Sequence, residues 1–155
     1  MDFFKALIDA VLRGDDVSVS HVIELGNFSS DLSESDSNGM TALHWAATTS
    51  ESEKLIPVLL SYGASIQLSD KKGLTPLHLC CAHGRLYGVT CLLHKGANAN
   101  SVSVESAMTP LHVAVLNSHA DIARLLLAFG ADASIEMSTS QSSFDLGLSN
   151  LINGG

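Results

Sequence analysis

Aromatic residues make up only 5% of this 155-residue chain and charged residues 15%, and there are three prolines and three cysteines. Each scarcity closes off a class of protein. With so few rings, the 46% hydrophobic content is carried by Leu, Ala, Val and Ile. A core of those residues favours helices packed closely on helices, and content this apolar is not that of a disordered chain. No apolar run approaches the roughly 18–20 residues that span a bilayer, so no membrane insertion is expected. Asp2 and Asp9 interrupt the N-terminal stretch where a secretory signal needs unbroken apolar residues, and it reads as mature protein. Cys80, Cys81 and Cys91 are odd in number, and two are adjacent in sequence. That is no disulfide framework. It points to a reducing, intracellular setting, cytoplasmic or nuclear.

Bases are scarce as well, at 8 Lys and Arg against 16 Asp and Glu, and the net charge is -8. Residues 1–53 hold ten acids against Lys5 and Arg13, while residues 54–155 balance six acids with six bases. A polyanion is repelled by the first third and gains nothing elsewhere, so nucleic acid and anionic membrane are excluded as expected partners. A basic partner for the N-terminal third and simple solubility both account for this charge.

What the sequence does contain is a repeat. TALHWAA at 41–47, TPLHLCC at 75–81 and TPLHVAV at 109–115 place Thr41, Thr75 and Thr109 at intervals of 34 residues. Each is followed by a second apolar run that ends in glycine: IPVLLSYGA, VTCLLHKGA and IARLLLAFGA. The order is turn, short helix, tight loop, second helix, glycine stop. Threonine caps free N–H groups at a helix start, and Pro76 and Pro110 sit where a missing N–H costs nothing. Gly63, Gly96 and Gly130 end the second helices in the left-handed conformation.

This pattern strongly resembles the ankyrin repeat, whose signature is Thr-Pro-Leu-His-x-Ala near a 33-residue period. The resemblance implies an all-α solenoid of stacked helix-turn-helix units with short β-hairpin fingers. The expected organisation is a single domain over 2–155. It comprises a degenerate N-terminal repeat at about 4–35, repeats at 36–69, 70–103 and 104–136, and a partial C-terminal repeat at 137–155. Leu7, Ala10, Val11, Gly14, Val19, Val22, Ile23 and Gly26 keep the spacing of the first. SSFDLGL at 142–148 occupies the last motif slot. A half repeat leaves an apolar edge. Either Leu146, Leu148, Leu151 and Ile152 close it, or the chain is the front of a longer one, and the second is favoured.

Departures from the pattern matter for function. Asp36–Gly39 and Asp70–Gly73 form the expected finger turns, but VSVESAM before Thr109 has no glycine and one extra residue, so this finger should be longer and differently shaped. The loop TTSESEK carries another extra residue, and Pro57 either delays the helix that follows to near Ser52–Lys54 or kinks it. Residues 27–37 are polar and Ser-rich and are expected to form a long loop.

Candidate chemistry is thin. His78, Cys80, Cys81 and His83 have helical spacing that could suit zinc, but His78 is the motif histidine, like His44 and His112, and the cysteines replace the motif's alanines. No nucleophile, base and orienting acid come together and no phosphate-cradling loop is present, so neither enzyme activity nor a cofactor is expected. The resemblance implies that Asn100 could be an oxygenase hydroxylation substrate. Asn98 and Ala99 depart from the preferred context, and a turn-stabilising side chain is the competing reading.

The resemblance implies a monomeric domain that binds another protein as adaptor, scaffold or inhibitor through its finger tips and inner helices. The alternative is an N-terminal regulatory or targeting domain of a larger multidomain protein. By register, the tips carry Met40, Lys71, Lys72, Leu74, Glu105 and Met108. The inner helices present Trp45, Thr48, Thr49, Leu79, His83, Leu116 and Asn117. Trp and Met are favoured interface anchors. The same positions also serve packing between repeats, which leaves part of this set open to a purely structural role.

Overall fold

Each Thr-x-Leu-His segment starts a helix for a reason visible in its bonds. The Thr41 N–H donates to Nδ1 of His44 at 3.2 Å, Thr75 does so to His78 at 3.2 Å and Thr109 to His112 at 3.0 Å. In each unit the threonine hydroxyl in turn accepts from the histidine backbone N–H. This is a reciprocal capping box with histidine in the place usually held by Glu or Gln. Because Nδ1 accepts, Nε2 carries the proton. It donates to a carbonyl one repeat on: Leu74 from His44 at 3.0 Å, Met108 from His78 at 2.9 Å, Gln141 from His112 at 3.3 Å. One side chain therefore starts its own helix and ties down the next finger.

The computed structural model describes residues 2–26 and 32–154. The helices are α1 (Phe3–Arg13), α2 (Asp16–Leu25), α3 (Ala42–Ala46), α4 (Ile56–Ser61), α5 (Pro76–His83), α6 (Leu86–His94), α7 (Pro110–Leu116), α8 (Ala120–Ala128) and α9 (Leu148–Asn153). A 3-10 turn at Glu53–Leu55 leads into α4, which is the late start that Pro57 and the longer loop lead one to expect. Helices α1, α3, α5 and α7 stack as an inner row, while α4, α6 and α8 form an outer row. The core runs continuously between the rows from Leu7 to Leu148. Leu146, Leu151 and Ile152 pack against it, so α9 covers the apolar edge of α8. The polar loop expected over 27–37 falls partly on residues 27–31, outside the described residues.

The fingers are plainer than hairpins. Among the described residues the only bridges are Ser35 to Thr41 and Glu136 to Ser142, with no extended strand. The physical reason lies in the turn aspartates. Asp36 Oδ1 accepts the N–H groups of Asn38 and Met40, and Asp70 Oδ1 those of Lys72 and Leu74. A carboxylate thus takes donors that a strand would otherwise use. Fingers still join in a row: Lys71 N–H donates to Asn38 O, Val104 to Lys72 O and Ser138 to Ser106 O, at 2.9–3.0 Å. The finger before Thr109 is indeed longer. Its closing bond runs from Ser103 N–H to Met108 O, five residues on, where the first two fingers close over four. The Ser103 hydroxyl replaces the aspartate by accepting from Met108 N–H, and Ala107 adopts φ 51° without being glycine.

The cysteine pair has a partner in the fold. Cys80 is fully buried. A Cβ on Gly88 of α6 would lie 2.7 Å from its Sγ and 2.9 Å from Ile56 Cδ1. The bulk that cysteine adds over the motif's alanine therefore occupies space that Gly88 leaves open. Gly88→Ala alone should destabilise the protein by about 1–2 kcal/mol, since overpacking outweighs alanine's better helix propensity. Adding Cys80→Ala should recover that loss. A double-mutant cycle in urea would read a coupling of about 1 kcal/mol, and purely additive single effects would contradict the fit.

The last motif slot is imperfect in a different way. Asp145 Oδ2 accepts from both Ser142 N–H and Ser142 hydroxyl, which rebuilds the capping box without a histidine. Beside it the Ser143 hydroxyl is wholly buried and finds no partner among the described residues. Ser143→Ala should therefore raise stability, by about 1 kcal/mol, because an unmet buried hydroxyl is removed. Calorimetry would show a higher Tm, and a lower one would mean that the hydroxyl is bonded.

Candidate partner-binding groove

Finger two and the inner helices α3, α5 and α7 enclose two neighbouring hollows. The larger, of 530 Å³, is lined by Met40, Trp45, Thr48, Leu74 and Leu79, with Asn38, Asp70, Lys71, Lys72 and His83 around them. The smaller, of 270 Å³, shares Lys72, Leu74 and Leu79 and adds Glu105, Ser106, Met108, Ala82 and Val113, with His78 and Ser103 behind. Ten of the thirteen residues expected from the sequence thus meet in one continuous groove.

The other three lie elsewhere. The Thr49 hydroxyl bonds Ser52, whose own hydroxyl donates to Ala46 O at 3.0 Å, so this pair closes the end of α3. Asn117 follows α7, and its side-chain amide donates back to Val113 O at 2.8 Å. Leu116 is about half exposed at the end of the same helix and lines neither hollow. All three sit where a short helix gives way to a loop, and there helical register no longer dictates direction.

Trp45 is held in place. Trp45 Nε1–H donates to Asp36 Oδ2 at 3.1 Å, which ties the inner helix α3 to its own finger. The ring is half-buried and packs against the core. Asp36 and Asp70 are known from the sequence as turn residues, but their place at the groove is not readable there. Lys71 and Lys72 are exposed and enter no ion pair among the described residues. Burial and the nearby Arg85 charge hold the His83 imidazole below its usual range, so the groove presents it neutral near pH 7.

The residues that suggested chemistry are occupied otherwise. Burial pushes the Cys80 and Cys81 thiols far up, so neither is an activated nucleophile near pH 7. Both ring nitrogens of His78 are committed to Thr75 and Met108. Among the described residues no three His, Cys, Asp or Glu side chains converge as ligands. The Asn100 amide spans to the following repeat, donating to Gly130 O at 3.1 Å and accepting from Asp132 N–H at 2.7 Å. An enzyme that modifies Asn100 would have to displace both bonds. Among the described residues no helix is long and apolar enough to cross a membrane.

A family model described as ankyrin repeats (3 copies) matches residues 7–103 and again 50–137. No curated protein matches the chain closely enough to count as a relative. The stacked two-helix units, the threonine–histidine boxes and this match agree, and the chain belongs to the ankyrin-repeat family.

Proposed function

We propose that this protein binds a partner protein through the groove between its fingers and inner helices, acting as an adaptor, scaffold or inhibitor. Ankyrin repeats are in general protein–protein interaction modules. The fold alone does not fix a function, so the reading rests on the groove itself. The observation that carries it is the pair of adjoining hollows, with an apolar floor of Trp45, Leu74, Leu79 and Met108 and a polar rim of Lys71, Lys72 and Glu105. An apolar centre inside a charged rim is the layout of a protein-binding surface, and Trp is among the side chains that most often carry its energy.

Proximity labelling in cells, comparing the wild type with groove variants, tests it. Trp45→Ala should remove a defined set of labelled proteins, with a loss of about 2 kcal/mol or more in affinity for a direct partner. Because Trp45 also braces Asp36, the pair Lys71→Glu and Lys72→Glu provides a second arm at fully solvated positions. Far-UV circular dichroism should stay unchanged for both. Identical labelled sets for wild type and both variants would remove the groove from consideration.

A further inference from the structure

We propose that the occupant of the groove is a linear peptide segment in which two carboxylates stand next to a large apolar side chain. This rests on the groove reading above and adds the chemistry of what fills it. The chain is strongly acidic, yet the exposed charges beside Trp45 that enter no ion pair among the described residues include two lysines. Asp36 has committed both oxygens, Oδ1 to the Asn38 and Met40 N–H groups and Oδ2 to the Trp45 indole. Asp70 holds its own turn through two backbone donors at 2.9 Å. The lysines beside them, Lys71 and Lys72, are exposed and make no ion pair among the described residues. Two adjacent cations therefore stand over the 530 Å³ hollow, beside Asp70, whose Oδ1 is held by its own turn.

The rest of the surface limits what the anion can be. Glu105 stands at the neighbouring hollow, so the lysine pair is confined to the finger-two end. Residues 1–44, which lead into Trp45, hold eight acids against Lys5 and Arg13, a net charge of -6. A long polyanion lying on Lys71 and Lys72 would run against one or the other. A short acidic stretch would not. Its neighbouring apolar residue would then reach the floor of Trp45 and Leu79, where burial supplies affinity and the lysines supply orientation and association rate.

A random linear-peptide display library selected on the full chain tests this. Enriched sequences should place Asp or Glu beside Leu, Phe or Trp. Their synthetic versions, made without Trp, should shift the fluorescence of Trp45, the sole tryptophan. Changing the peptide carboxylates to amides should weaken binding roughly ten-fold at low salt and less at high salt, and Lys71→Glu with Lys72→Glu should do the same. Labelled-peptide anisotropy reads these affinities in every variant. Peptides that need Trp45 but show no acidic excess and ignore the lysine changes would overturn the acidic occupant and leave the groove standing. Peptides that bind Trp45→Ala as well as wild type would overturn the groove reading too. A library that enriches nothing would overturn the linear-peptide proposal.

Discussion

Replacing Gly73 by alanine should cost about 3 kcal/mol, a large share of the stability of a domain this size. Two terms add. Gly73 has φ +78°, where an L side chain costs about 1–2 kcal/mol. The added Cβ would also lie 2.4 Å from the backbone N of Val104 and 2.6 Å from its Cγ2. That nitrogen donates to Lys72 O at 3.0 Å, in the bond that joins fingers two and three. A backbone atom cannot swing away as a side chain can, so the third finger must shift and the joining bond is lost or stretched. Gly63 supplies the control. Its φ is +89°, but a Cβ there meets nothing within 4 Å, so Gly63→Ala should show the conformational term alone. Urea midpoints of the two variants separate close stacking from backbone strain. Equal losses would mean that the fingers do not rely on contact at Gly73. Because Lys72 and Met108 sit on the two fingers concerned, peptide binding in the groove should weaken with Gly73→Ala and not with Gly63→Ala.

That glycine shows which parts of the structure could be read in advance. The turn pattern Asp-x-x-Gly is visible in the sequence, and so is the missing glycine before Thr109. What fills the gap is not visible. Ala107 takes the left-handed conformation itself, and the Ser103 hydroxyl takes over the acceptor role of the aspartate. Repeat spacing locates Trp45, Leu79 and Met108 on one face because stacking transmits register from unit to unit. Thr49, Leu116 and Asn117, expected on the same face, line neither hollow and fall at helix ends where local hydrogen bonds set direction. The bond from Trp45 to Asp36 links two residues nine apart through a loop, and no periodicity announces it. Cys80 is readable as a departure from the motif's alanine. Its compensation by Gly88 is not, because that fit depends on how α5 and α6 approach one another.

The histidine boxes predict a steep loss of stability on mild acidification. His44, His78 and His112 are at most 1% exposed. Each Nδ1 accepts the N–H of its own threonine, a bond that a second ring proton would displace. Burial, partly opposed by the carbonyl that each Nε2–H meets, holds all three imidazoles below the ordinary value of 6.5. The native chain therefore takes up protons less readily than the unfolded one. Above about pH 6.5 both states are neutral at these sites and the stabilisation is whole. As pH falls through 6.5 the unfolded state charges first, and stability drains until the folded pKa values are passed. Each histidine contributes at most about 1.4 kcal/mol per pH unit, so about 4 kcal/mol per unit is the ceiling for the three together. The carboxyls held low by their own hydrogen bonds, those of Asp15, Glu51, Asp132 and Asp145, act in a separate window below about pH 4. Urea midpoints at about pH 7.5, 6.5 and 5.5 should fall together with the number of protons taken up, and His78→Gln should reduce that number by one while keeping a side chain able to close the box. A midpoint that does not move over this range would mean that the imidazoles charge freely in the folded state. The same three histidines hold Leu74, Met108 and Gln141 through Nε2–H, so opening their helix starts in acid should loosen the fingers that wall the groove before it unfolds the α1–α2 pair, which has no such box.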